Sequence, residues 1–245
     1  MIPKYDVPML IYPSRTDSSA RLSVPDCFAL FMDIAAPHAA MLGCGTEDLA
    51  KQDLFWLTVK SKIKILRRPR MMEDVTVSTW PRKPEETRCI RDYSITKGDE
   101  TLVLGKTLWA VINIKTGKLN RVDVLYPEGF QTISDIAIEE PFTKFDREFE
   151  GEPFGTYTVR STDIDFGGHM NNIAYIRAFT SLFSAKEWQD LKVSELEIHY
   201  KSPCFEGNTL SFEKKQVEDS THICAKLPDG KIAIYIAMKT RNNAL

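Results

Sequence analysis

The chain has 245 residues, 43% of them hydrophobic and 27% charged, with a formal net charge of −2. That length holds one large core or two small ones, and the near-neutral charge leaves no footprint for broad nucleic-acid binding. No run of about 18 apolar residues is present to span a membrane, and the N-terminus Met1-Ile2-Pro3-Lys4-Tyr5-Asp6 lacks the pattern of a secretory signal. The five cysteines, Cys27, Cys44, Cys89, Cys204 and Cys224, are scattered with no CxxC pair, which fits a reduced cytoplasmic protein without a structural metal.

Taken in order, the apolar run Met9 to Tyr12 suits a strand, and Arg15 to Ser23 is polar. From Val24 the residues Cys27, Phe28, Phe31, Ile34, Ala35, His38 and Leu42 keep helical spacing, with Ser23 as cap and Pro25 in the first turn. Pro37 lies well inside this pattern, so a kink or break is expected near Asp33. Gly43 and Gly45 end the helix. Strands follow at Phe55 to Leu66, Glu73 to Pro81, Arg88 to Lys97 and Thr101 to Ile114, separated by turn signals such as Lys97-Gly98-Asp99. A helix followed by an antiparallel meander is an α+β pair of layers.

Residues 126–150 carry Pro127 and Pro141 and no sustained periodicity, which marks an interdomain connector between a unit at 1–125 and another at 151–245. The second half repeats the first. It has a strand at Gly155 to Arg160, a helix from Asn172 to about Leu191, and strands at Lys192 to Lys201, Thr209 to Val217, Thr221 to Leu227 and Lys231 to Lys239. Setting Thr16-Asp17 against Thr162-Asp163 places Ser19 opposite Asp165 and Ser23 opposite His169. Arg68-Pro69 then matches Ser202-Pro203. Such an internal duplication confines acid and imidazole chemistry to the second copy.

The chemistry-bearing stretch is Thr162-Asp163-Ile164-Asp165-Phe166-Gly167-Gly168-His169-Met170-Asn171-Asn172. Ile173, Ile176, Phe179 and Phe183 follow at helical spacing, so Asn171 or Asn172 caps a helix. A helix N-terminus offers free N–H groups and partial positive charge to an oxyanion. Gly167 and Gly168 admit a bound group close to the backbone, and Asp165 can hold a water. That is the minimum equipment for hydrolysing an ester or thioester. A turn and cap with no chemistry has the same composition.

The order Asp-x-Asp-x-x-Gly-His-Met-Asn-Asn-x-x-Tyr resembles the signature of hotdog-fold thioesterases. Two tandem copies with the motif in the second resemble the acyl-acyl-carrier-protein thioesterases of plant plastids and bacteria. The resemblance extends to Asp48-Leu49 through Trp56, Ile63 to Pro69, Thr79-Trp80, Arg91-Asp92-Tyr93 and Trp109 to Asn113. It implies an α+β chain of two hotdog domains, each a long helix wrapped by an antiparallel sheet, with the acyl pocket in the first. The absence of a transit-like extension favours a bacterial-type member.

The resemblance implies hydrolysis of fatty acyl groups from acyl carrier protein, with no cofactor and no metal. Asp165 would take the proton of the attacking water, and His169 would position it and protonate the departing thiolate. The backbone at Gly168 and the cap at Asn171 would face the oxyanion, and Gly167, Asn172 and Cys204 are the candidates for contact with substrate. Two positions depart from the family: its Asn two residues after the Asp is Gly167 here, and its Glu before the cysteine is Pro203. Glu206, in a Glu-Gly-Asn turn, reads as solvated rather than as a substitute. An acyl-coenzyme A thioesterase of the same fold and a catalytically weakened acyl-binding protein are the alternatives.

His38, His199 and His222 read as structural, and Cys204 as an inert apolar group rather than a nucleophile. Lys60, Lys62 and Lys64 share a strand face that suits either solvation or docking of an acidic carrier protein. Phe28, Phe31, Ile34, Ile63 and Ile65 read as core or as pocket lining. Fused copies satisfy the pairing that single hotdog domains obtain by dimerising, so a monomer or weak homodimer is expected.

Overall fold

The computed structural model describes residues 2–146 and 148–241. The chain divides into two compact units, Met1–Glu140 and Pro141–Leu245. No helix among the described residues is long and apolar enough to cross a membrane.

In the first unit, strand β1 (Tyr5–Leu10) precedes a short 3-10 turn at Pro13–Arg15 and helix α1 (Val24–Met41). A second helix, α2 (Thr46–Ala50), leads into β2 (Leu54–Ile65), β3 (Asp74–Pro81), β4 (Arg88–Lys97), β5 (Glu100–Asn113) and the two-residue β6 (Leu119–Asn120). The sheet order is β1-β3-β4-β5-β2, with β6 on β5, all antiparallel. The first strand lies at Tyr5–Leu10 rather than Met9–Tyr12 because Pro8 is tolerated on an edge strand, where one side of the backbone needs no ladder partner. Helix α1 runs unbroken through Pro37. Both Pro37 and Asp33, whose carbonyl loses its helical donor, are exposed, and so the missing bond faces water.

The face of α1 carrying Cys27, Phe28, Phe31, Ile34 and Ala35 is buried along with Ile63 and Ile65 of β2. Phe31 stacks on Tyr93 with ring centroids 4.7 Å apart, and each such ring contributes about 1.5–3 kcal/mol by leaving water. The residues nominated as core are therefore core.

The second unit begins with β7 (Glu152–Thr158) and a 3-10 turn at Ser161–Asp163. Helix α3 (Asn172–Thr180) and helix α4 (Ala185–Asp190) precede β8 (Val193–Tyr200), β9 (Thr209–Val217), β10 (Ser220–Lys226) and β11 (Ile232–Thr240). Its sheet order is β8-β11-β10-β9-β7, again antiparallel. The expected single helix to Leu191 is two helices. Ser184 accepts from Glu187 N–H (3.2 Å) while the Glu187 carboxylate accepts from Ser184 N–H (2.7 Å), a capping box that restarts the helix.

The expected connector 126–150 is shared between the units and packed on each. In the first, Trp80 Nε1 donates to Asp135 O (2.8 Å), Arg82 to Ile138 O (3.0 Å) and Lys106 to Glu140 O, while Ile138 is 1% exposed. In the second, Phe145 stacks on Tyr235 (4.8 Å) and meets His199 edge-on (4.8 Å), and Thr143 N–H and Oγ1 donate to Glu197. They also take Lys62 out of the lysine face read from the sequence. Lys62 is 8% exposed and stands opposite Lys106, and Lys64 is ion-paired with Glu140 at 3.0 Å.

All five cysteines are free and buried. Burial pushes the Cys27 and Cys224 thiols up to about 12 and Cys44 to about 11.

Candidate active site

The motif forms a closed turn between the Ser161–Asp163 3-10 turn and α3. Asp163 accepts at Oδ2 from Arg160 N–H (2.8 Å) and Tyr157 Oη (2.9 Å), which fixes the entry. Asp165 N–H donates to His169 O (3.0 Å) and Gly168 N–H to Asp165 O (3.0 Å), while Ile164 bridges Met170. Asn171 caps α3, its Oδ1 accepting from Ile173 N–H at 2.8 Å.

This turn brings the two nominated side chains together. Asp165 Oδ1 lies 3.7 Å from His169 Nδ1, with the side chains 22% and 37% exposed, so both groups are reachable from solvent. The same oxygen accepts from Gly167 N–H at 2.8 Å. A Cβ on Gly167 would lie 3.1 Å from Asp165 Oδ1 and 3.2 Å from His169 Cε1 and Nε2, so any side chain here would press on both. Gly168 holds φ +76°, where a β-carbon is strained.

Gly168, Asn171 and Cys204 make contacts other than those expected of them. The Gly168 N–H is spent on Asp165 O, so it is no oxyanion donor. Met170 and Asn171 N–H are likewise spent, on Cys204 O (2.7 Å) and Asp163 O (2.8 Å). Asn172 is the first residue of α3, where an N–H has no helical acceptor, and its carbonyl accepts from Tyr200 Oη at 3.2 Å. Cys204 is 0% exposed, which removes it from substrate contact. Its backbone instead anchors the motif: the carbonyl takes Met170 N–H and the N–H donates to Tyr175 Oη at 3.0 Å. Tyr175 was legible only as the last letter of the signature. Nothing in that letter reveals its bond to a turn 29 residues on. Among the described residues no group of three or more His, Cys, Asp or Glu is placed to hold a metal ion.

The first unit carries the same turn, and its hydrogen bonds fix the internal register. Asp17 N–H donates to Arg21 O (2.9 Å), Ala20 N–H to Asp17 O (2.9 Å), Ser19 N–H to Asp17 Oδ1 (2.9 Å) and Leu22 N–H to Pro69 O (2.8 Å), before the cap at Ser23. Asp17 thus matches Asp165, Arg21 matches His169, and Pro69 matches Cys204. The expected pairing of Ser19 with Asp165 and Ser23 with His169 is two residues out. The first copy has kept its acid and tied it up: Asp17 is bonded by Arg68 and Ser19. Burial alone would raise the Asp17 carboxyl, but the Ser19 and Arg68 hydrogen bonds outweigh it and hold it below its ordinary value.

Comparison with known proteins agrees with this two-part organisation. The acyl-ACP thioesterase N-terminal domain matches residues 3–127 and the acyl-ACP thioesterase C-terminal domain matches residues 147–237. The chain belongs to the acyl-ACP thioesterase family. An acyl-ACP thioesterase of Bacteroides thetaiotaomicron has the same fold, with a TM-score of 0.87, 22% identity and 98% of each chain covered. A 12:0-ACP thioesterase of Umbellularia californica gives a TM-score of 0.82 at 17% identity, with 98% of each chain covered. Both place the chain in the hotdog fold. Among curated relatives, a chloroplastic acyl-acyl-carrier-protein hydrolase of Cuphea viscosissima is 22% identical over 201 residues, 77% of this chain and 49% of its own length. The chain spans about half the length of that relative.

Proposed function

We propose that this member of the acyl-ACP thioesterase family hydrolyses the thioester of a fatty acyl chain carried by acyl carrier protein, in the cytoplasm, without cofactor or metal. Water adds to the thioester carbonyl carbon as Asp165 takes its proton. The oxyanion is held by the Asn172 N–H and the positive end of α3. The C–S bond then breaks, the thiolate takes a proton through His169, and free fatty acid and the phosphopantetheine thiol leave. The chain acts as a monomer or weak homodimer, and the carrier protein is its one macromolecular partner, with no nucleic acid and no membrane.

The observation that carries this reading is the accessible Asp165–His169 pair at 3.7 Å, set one turn before a helix N-terminus. The substrate class rests on family membership. Matched acyl chains on carrier protein and on coenzyme A, followed by release of free thiol, test it: a higher kcat/KM on carrier protein is expected. Equal or better hydrolysis of the coenzyme A ester would make the chain a coenzyme A thioesterase. Gly167, which puts no side chain beside Asp165 and His169 to hold a water or substrate, favours a second reading as an acyl-binding protein. Acyl binding with no thiol release from either donor would establish it.

A further inference from the structure

The turn beneath the motif is where the two halves of the chain meet one local requirement in different ways. Four residues past the helix N-cap stands Cys27 in the first unit and Tyr175 in the second. The residue whose carbonyl anchors the motif is Pro69 in the first unit and Cys204 in the second. Proline has no N–H. Cys204 has one, in a fully buried position, where an unpaired donor is costly. Tyr175, 3% exposed, supplies the acceptor: Cys204 N–H donates to its hydroxyl at 3.0 Å, and the hydroxyl donates to Ser202 O at 3.4 Å.

The bonds continue into the site. Cys204 O accepts from Met170 N–H at 2.7 Å, and Met170 is bonded directly to His169 along the chain. We propose that Tyr175 is a positioning residue for the reaction, holding the Ser202–Cys204 turn and, through Met170, fixing the His169 imidazole against Asp165. This rests on the hydrolytic reading above. It assigns the buttressing of the site to a hydroxyl carried by α3. Burial raises the Tyr175 phenol well above its ordinary value, so the hydroxyl keeps its proton at any working pH.

The test is Tyr175→Phe, which removes one oxygen and leaves the ring in place. Turnover should fall on the order of tenfold to a hundredfold with KM changed by less than about twofold, as for a loss of placement rather than of binding. The His169 imidazole titration, followed by nitrogen NMR, should move relative to the unsubstituted protein, a change that mere destabilisation does not produce. A folded Tyr175→Phe protein with unchanged kcat and an unmoved His169 titration overturns the proposal. Should that variant not fold, exchange of the Cys204 amide in the unsubstituted protein decides: slow exchange is expected, and exchange at the rate of an open loop overturns it. An unsubstituted protein inert toward every acyl thioester sinks the hydrolytic reading, while the His169 titration still reports on Tyr175.

Discussion

The two motif turns share one backbone and differ in what they do with their acid. At Asp17–Ser23 the carboxylate is bonded to Ser19 and Arg68, with Asp17 and Arg68 side chains each 17% exposed. At Asp165–Asn171 the residue matching Arg68 is Pro203, and Asp165 is left with one backbone N–H at 2.8 Å and an imidazole at 3.7 Å. The fold builds the same turn in both units, and the two carboxylates differ in the neighbour each is given. A guanidinium makes the first turn a fastener, and a proline with a histidine beside it leaves the second carboxylate partly exposed.

The largest expected effect divides the two acids. Asp165→Asn should cut turnover by about 100-fold or more without unfolding the protein, as for a positioned acid or base. Asp17→Asn should leave turnover near that of the unsubstituted protein and cost about 1–3 kcal/mol of stability, because Arg68 loses its partner. Thiol release and urea unfolding of both variants make the comparison, and near-normal turnover in a folded Asp165→Asn protein would break it.

Pro203→Arg transplants the fastener. A guanidinium beside a carboxylate lowers its pKa by about 1 to 3, so turnover should drop on the order of tenfold as the base weakens. A Pro203→Arg protein with undiminished turnover would show that Arg68 is not what silences the first turn.

A smaller effect is expected at the tight corner. Gly168 sits at φ +76° and its counterpart Ala20 at φ +53°, so the first turn already bears the strain of a β-carbon. Gly168→Ala should cost about 1 kcal/mol, read as a lower midpoint in thermal or urea unfolding. A neutral result would mean that the second turn relaxes where the first does not.

The least effect at neutral pH concerns the ion pairs of the first unit. Arg67 holds the Glu73 carboxyl down to about 2, bonding both its oxygens at 2.9 and 3.1 Å. A carboxyl lowered in the folded state contributes stability that is complete above its unfolded value and lost as pH falls through the folded one. Stability should therefore decline from about pH 4.5 toward pH 2. In Glu73→Gln the decline should be shallower over that window, as followed by melting temperature against pH.

Most strands were legible in the sequence because alternation and turn residues report burial directly: Arg88–Lys97 and Thr209–Val217 lie where the pattern puts them. The internal register was not. The repeated Thr-Asp dipeptide is a false anchor, since Thr16-Asp17 and Thr162-Asp163 occupy different places in the turn, and the hydrogen bonds within the two turns and to Pro69 and Cys204 reveal the two-residue offset. The break after Thr180 was hidden for a similar reason. Phe183 extends the apolar spacing of Ile173, Ile176 and Phe179 across it, although Ser184 and Glu187 already spell a capping box. Within the site, the pairing of Asp165 with His169 was readable. The satisfaction of individual N–H groups was not: Gly168 N–H is taken by Asp165 O within the turn, and Met170 N–H by Cys204 O from a distant segment that no local pattern encodes.

The burial of all five cysteines has a bearing on how the acyl group travels. With every cysteine buried and water as the nucleophile of the proposed hydrolysis, the acyl carbon passes from carrier to water with no acyl-enzyme in between. An enzyme of that kind leaves no loaded intermediate for an alcohol or amine to intercept, and its product is committed to the free acid from the moment the carbon–sulfur bond opens.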